Sequence, residues 1–289
     1  MFDQMEALRA LEETGTTARA AARLRITQSA VSKRISALEA TLGVAVVEKR
    51  GRSLVLTPAG ASVLADLEPH LRAIRSRVRT LAPGGGTLRV AATESLLAAW
   101  LPAALAEARV AAGVELELHA HRGPLVVERV LGGHADVGIC VPGEEGTLAS
   151  EPLGDEPMVL VPSGTEPLVV PPTAPLDVWT IEARSLTGAW LDRRLARHPW
   201  PIRPTRRIES FSAAVQLARA GFGPALVPEG LARAMGVPAT AAVVVPGLRR
   251  PLVAVYETSA GDRPAVRRFV DALRGAAIKA LAAANVAPG

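Results

Sequence analysis

The pattern of this chain changes at Pro83-Gly84-Gly85-Gly86, and that break constrains the fold more than any other feature. Before it, apolar residues recur at helical spacing. After it, short β-prone runs alternate with helical ones. Alternation of that kind argues for a parallel α/β sheet. A length of 289 residues accords with two domains. Charge divides at the same place. Residues 1–82 hold thirteen Lys and Arg against eight Asp and Glu, while the remainder holds twenty of each. The whole excess of +5 therefore sits in the first third, and Arg19 to Arg52 carries eight bases against Glu39 and Glu48. A local basic patch on a neutral chain is the footprint of a phosphate-binding surface.

Within the first third, Phe2, Met5, Leu8 and Leu11 share one face of a helix that ends at Gly15. Thr17 is expected to cap a second helix through Leu24, with Ala18, Ala21, Ala22 and Leu24 as its buried face. Arg25-Ile26 turns tightly, and Thr27 caps a third helix from Gln28 to Leu42, stopped by Gly43. On that helix Val31, Ile35, Leu38 and Leu42 fall within about 60° of arc. Ser29, Ser32, Lys33 and Ser36 lie opposite, with Gln28 at the N-terminal end and Arg34 on the flank. So short and polar a face approaches base edges closely, with hydroxyls, an amide and a cation as readers. Val46 to Thr57 then reads as a hairpin whose tip, Lys49-Arg50-Gly51-Arg52, is basic and suits phosphates or a minor groove. After Pro58, Leu64, Leu67, Leu71, Ile74, Val78 and Leu81 follow spacings of 3 and 4, a heptad seam through which two copies could pair. Pro69 is expected to kink that helix.

Beyond Gly86 the expected elements are a strand at Leu88–Ala92, one helix over Leu96–Ala112, a strand at Val114–Ala120 and a helix at Leu125–Leu131. A buried strand at Ala135–Val141, a helix at Phe211–Ala220, strands at Ala225–Val227 and Leu252–Tyr256, and a helix at Pro264–Ala284 complete the pattern. Val161 to Val178 is Pro-rich and ambiguous. No apolar run reaches the roughly 20 residues of a membrane span, and no secretory signal is visible, so a cytoplasmic protein without a membrane partner is expected.

The residues TTARAAARLRITQSAVSKRISALEATLGVAVVEKRGRSLVLTPAG, positions 16–60, resemble the winged helix-turn-helix of the LysR family of bacterial transcriptional regulators. Leu88–Ser95 (LRVAATES), Gly133–Ile139 (GHADVGI) and Ala220–Pro228 (AGFGPALVP) look like that family's effector-binding domain, though more loosely. The phenylalanine common in the family's wing region is Val47 in this chain. The resemblance implies a mixed fold: an N-terminal all-α winged helix-turn-helix (1–60), a linker helix for dimerisation (61–82), and an α/β effector domain (87–289) of two subdomains similar to periplasmic binding proteins. The crossings between subdomains are expected near Val161 and Leu248. Implied partners are duplex DNA, a small-molecule effector, further copies of the chain as a dimer or tetramer, and RNA polymerase.

Candidate DNA contacts are Gln28, Ser29, Ser32, Lys33, Arg34, Arg50 and Arg52, and candidate dimerisation residues are Leu64, Leu67, Leu71, Ile74 and Val78. Thr93-Glu94-Ser95 stands where a strand passes into a helix and reads equally as plain capping or as a polar ligand site. The resemblance favours the ligand. Arg122 follows the next strand and either clamps a carboxylate or is an ordinary surface arginine. Phe211-Ser212 opens a helix on the opposite side, with Phe211 equally readable as core. The expected effector is a carboxylate or an amino acid, since Glu94 discourages a multiply charged anion. No resident cofactor or metal is expected: His119, His121, His134 and Asp136 lack supporting thiolates, and Cys140 reads as inert burial. No catalytic constellation is present. The competing reading is a sensor acting through protein contacts with a vestigial DNA head.

Overall fold

The computed structural model describes residues 1–51, 53–67, 70, 87–143, 146–258 and 263–285. It divides into two compact units, Met1–Ala82 and Pro83–Gly289.

In the first unit, α1 (Phe2–Thr14), α2 (Thr17–Leu24) and α3 (Gln28–Leu42) precede a hairpin of β1 (Val47–Arg50) and β2 (Ser53–Leu56), and residues 58–67 form α4. Met5, Leu8 and Leu11 of α1 meet Val31, Ile35 and Leu38 of α3 in one core. Gly15 and Gly43 end their helices at φ of 71° and 70°, where an L side chain is strained. Thr27 caps α3 by accepting from Ala30 N–H. The cap of α2 is Thr16, which accepts from Arg19 N–H, and not Thr17. Ala20 and Ala21 consequently face inward, while Ala18 and Ala22 are exposed. Gly60 starts α4 against the hairpin base: a Cβ there would stand 2.0 Å from the Val46 carbonyl oxygen. Leu64 is buried in the same core, and Leu67 packs on it half-buried. Leu64 is therefore a residue of its own unit's core and not of an exposed seam. Leu71, Ile74, Val78, Leu81 and Pro69 fall outside the described residues.

The second unit is one eight-stranded sheet in the order β4-β3-β5-β10-β6-β9-β7-β8. The strands are β3 (Thr87–Thr93), β4 (Glu115–His121), β5 (Val137–Cys140), β6 (Leu148–Val161), β7 (Leu176–Ile181), β8 (Ile202–Ile208), β9 (Ala225–Pro228) and β10 (Val243–Glu257). The helices are α5 (Glu94–Leu97), α6 (Leu101–Ala112), α7 (Gly123–Leu131), α8 (Leu186–Leu195), α9 (Phe211–Arg219), α10 (Glu229–Ala234) and α11 (Pro264–Asn285). The single helix expected over Leu96–Ala112 is two, α5 and α6, because Ala98 closes the first and Pro102 belongs in the first turn of the second. The sheet is also not wholly parallel. β3, β4 and β5 run parallel, as do β7, β8 and β9, but β6 and β10 pair antiparallel to their neighbours.

That mixture makes two subdomains. β6 and β10 are long enough to belong to both, and they are the only described strands that do. The first part of β6 pairs with the second part of β10, and Met158–Val161 pairs with β9. The first passage between subdomains therefore lies near Glu156-Pro157, some residues before Val161. On β10 the register shifts between Val244 and Arg249, close to Leu248. At the passage Arg250 stands directly across from Glu156, and both are fully buried. Arg250 Nε donates to Glu156 Oε2 at 2.7 Å, Arg250 Nη1 donates to Ser95 Oγ at 3.2 Å, and its guanidinium lies 5.9 Å from the centre of the Phe211 ring. Strand β6, strand β10, α5 of one subdomain and α9 of the other thus meet at one cation. Asp136 serves the first subdomain similarly: it accepts from Arg89 N–H and from Arg263, both at 2.9 Å.

Removing one member of a buried pair leaves the other uncompensated. Glu156→Gln should lower the stability of the second unit by about 3–5 kcal/mol, whereas the double change Glu156→Met with Arg250→Met should recover much of it. Denaturant unfolding of the full chain checks both.

Candidate functional sites

Two surfaces concern function, one in each unit. On α3, Gln28, Ser29, Ser32 and Lys33 are exposed along the face opposite Val31 and Ile35. Ser29 Oγ shares a 3.0 Å hydrogen bond with Thr27 Oγ1 at the helix start. Arg34 is half-buried and donates to Asp3 at 2.8 Å, so it braces α3 on α1 and is drawn away from the reading face. Arg50 at the hairpin tip lies 3.0 Å from Glu48. Arg52 falls outside the described residues. Lys33 and Lys49 are exposed and form no ion pair among the described residues, so their charge is available to phosphate. Lys49 was legible as part of the basic tip but not singled out as a contact.

The second surface is a cavity of about 660 Å³ in the α/β unit. It lies where β3, β4 and β7 end, the position at which ligands sit in open α/β sheets. Thr93, Glu94, Ser95, Arg122 and Phe211 all line it, brought from three strand-to-helix turns. Ser212 stands at its edge, its Oγ 3.4 Å from Glu94 Oε1. Sequence reasoning missed Glu182, Arg184 and Glu209, because β7, α8 and β8 were not legible. Arg122 is paired with Glu209, and Arg184 donates to Glu209 at 3.1 Å and to Glu182 at 2.5 Å. The Arg122–Glu209 pair joins the two subdomains across the cavity. Leu186 reaches across as well, within 3.3 Å of where a Cβ on Gly123 would be.

Both arginines of the lining are thus engaged by carboxylates. Glu94 and Glu128 have no cationic partner among the described residues. Burial, with Arg129 and His119 adding to it, pushes the His121 imidazole below its ordinary value, so this lining residue is neutral at pH 7. The negative side chains are opposed by helix N-termini. α7, α8 and α9 all begin at the cavity. Ser185 caps α8 through Gly188 N–H, but α7 and α9 begin without a side-chain cap. Thr93 makes no capping hydrogen bond either, so the capping reading of that residue fails. Uncapped N–H groups at a cavity wall are donors for an anion. Ser95 is buried and committed to Arg250, which places it in the floor of the site.

Among the described residues no helix is long and apolar enough to cross a membrane, and no three His, Cys, Asp or Glu converge on a metal position. Cys140 is buried within β5.

A helix-turn-helix head with a basic hairpin, followed by a cleft-bearing two-part sensor, defines the class of ligand-responsive DNA-binding proteins. Residues 2–61 match the bacterial regulatory helix-turn-helix protein, lysR family, and residues 82–277 match the LysR substrate binding domain. The chain belongs to the LysR family of bacterial transcriptional regulators, which are not enzymes. Such regulators bind DNA and small-molecule effectors and form oligomers. Among its relatives, the probable regulator LrrA of Synechococcus elongatus is 33% identical over 284 residues, 94% of this chain and 95% of that protein. An HTH-type transcriptional regulator of Vibrio cholerae is 29% identical over 80% of this chain and 79% of its own. Full-length CbnR in complex with its target DNA has the same fold, with a TM-score of 0.62 at 22% identity over 96% of this chain and 99% of that one. ArgP from Mycobacterium tuberculosis is similar too, with a TM-score of 0.59 at 24% identity over 95% of this chain and 96% of that one.

Gln28→Ala should cost about 1–3 kcal/mol at one base pair, while Lys49→Ala should weaken all duplexes alike and reduce the salt slope by about one. Titration of the full chain against single-base operator variants at several salt concentrations distinguishes the two outcomes.

Proposed function

We propose that the chain is a sequence-specific regulator whose grip on DNA is set by an amino-acid-like metabolite bound in the cleft, and that it acts in the cytoplasm as a dimer or tetramer that engages RNA polymerase. The observation that carries this reading is the cavity itself. Its volume suits a small metabolite. Its walls come from both subdomains, so an occupant favours one arrangement of the two over another. Such a ligand shifts DNA affinity only through different affinity for those arrangements. The oligomer would convert the shift into a changed spacing of its heads.

The chemistry of the walls favours a zwitterion. An ammonium group suits Glu94, which has Ser212 beside it and no cation. A carboxylate suits the uncapped starts of α7 and α9. A second negative charge is disfavoured, because Arg122 and Arg184 would have to be drawn from Glu209 together. Thr93, Glu94, Arg122, Phe211 and Ser212 are the proposed contacts, and Ser95 acts through Arg250. The alternative, a sensor with a vestigial head, gives no reason for Lys33 and Lys49 to stay exposed and unpaired.

The test uses the full chain and duplexes recovered from a random-sequence pool. One amino acid should change duplex affinity roughly 5–150-fold, its deaminated acid should not, and Glu94→Gln should abolish the response. A response to a dicarboxylate alone, or one that survives Glu94→Gln, contradicts the proposal.

A further inference from the structure

The second unit has equal numbers of Lys and Arg and of Asp and Glu, yet one of its concave surfaces carries three arginines and no acid. Arg193, Arg194 and Arg197 line a cavity of about 460 Å³ with His198 and the segment Pro246-Gly247-Leu248, and no carboxylate lines it. None of the three arginines forms an ion pair among the described residues. Other arginines of this unit, among them Arg89, Arg122, Arg184, Arg203, Arg207, Arg250 and Arg263, have carboxylate partners, whereas these three line one cavity together without one. Asp192, the nearest acid in sequence, is held by Arg207 on β8 and does not neutralise them.

Part of the arrangement is accounted for by the helix. Arg193 and Arg194 occupy the last turn of α8, where a cation is favoured. A helix C-terminus amounts to about half an elementary charge, however, and three guanidiniums exceed it several-fold. His198 adds structure. Its Nε2 is hydrogen-bonded to the Pro246 carbonyl at 2.9 Å, and its Nδ1 accepts from Trp200 N–H at 3.1 Å. The ring therefore ties the arginine turn to the Pro246 loop. That loop interrupts β10 between Val244 and Arg249, the register shift immediately before Arg250. The pocket is thus built against the strand that passes between subdomains.

We propose that this pocket is a second ligand site, separate from the cleft, that takes a phosphate-bearing small molecule. Guanidinium forks match phosphate oxygens bidentately, and three of them on one wall suit two linked phosphates better than one carboxylate. The cavity has room for a phosphorylated metabolite. Occupancy draws the Pro246–Leu248 loop toward α8 and so bears on the β10 passage.

Inorganic pyrophosphate is the probe, titrated into the full chain at constant ionic strength and compared with chloride. Binding should saturate, and Arg193→Gln with Arg197→Gln should weaken it roughly a hundredfold, about tenfold for each guanidinium removed. Arg109→Gln, an exposed arginine outside the pocket, should leave binding unchanged. Unfolding midpoints without ligand confirm that the variants fold. Binding equal in the wild type and the pocket variant overturns the proposal, as does no binding beyond the effect of ionic strength. A pocket variant that keeps pyrophosphate but loses duplex affinity also overturns it, because the arginines would then serve the DNA backbone. Orthophosphate binding as tightly as pyrophosphate overturns the two-phosphate assignment.

Discussion

A buried cation stands where the sensor is joined to itself. Arg250 and Glu156 face each other on the two strands that belong to both subdomains, and neither has access to water. Desolvating two charges is costly, and a buried pair is no guarantee of stability. What the pair does supply is position. The same guanidinium reaches Ser95 at the start of α5 and lies against Phe211 at the start of α9, and these are walls of the cleft. The floor of the ligand site and the passage between subdomains are therefore one hydrogen-bonded assembly. Ser95 and Phe211 of the cleft wall thus contact β10 directly at Arg250, and β6 through its pair with Glu156.

The cleft itself is a balance of charges. Its guanidiniums are matched by Glu182 and Glu209, and its remaining carboxylates, Glu94 and Glu128, have no cationic partner among the described residues. Of the two, Glu94 has a hydroxyl, Ser212, beside it. Sequence leaves Arg122 readable as a carboxylate clamp or as an ordinary surface arginine, and the structure places it in the cleft wall, paired with Glu209.

Sequence patterning revealed the head almost completely, because its core is a matter of local period. Val31, Ile35 and Leu38 declare α3, and Gly15 and Gly43 declare helix ends. The one-residue error at Thr16 arose because two adjacent threonines are equivalent as caps until the helix is seen. Leu96–Ala112 reads as continuous because its largely apolar residues carry no period, and only Pro102 marks the break. β6 was missed because Pro152 and Pro157 interrupt it, and β10 was half missed because Pro246 and Pro251 do the same. Half of the cleft was nevertheless legible, since Thr93 and Arg122 each follow a readable strand. The other half, and the Glu156–Arg250 pair, were not: those two residues are 94 positions apart and make no local pattern.

Under the proposed function, cleft occupancy and DNA binding are linked, and such linkage is reciprocal. The most direct measurement is the dissociation constant of the effector for the free chain and for the chain saturated with its operator duplex. The two constants should differ by the same factor by which the effector changes operator affinity. Equal constants, with the effector bound in both cases, would contradict the linkage.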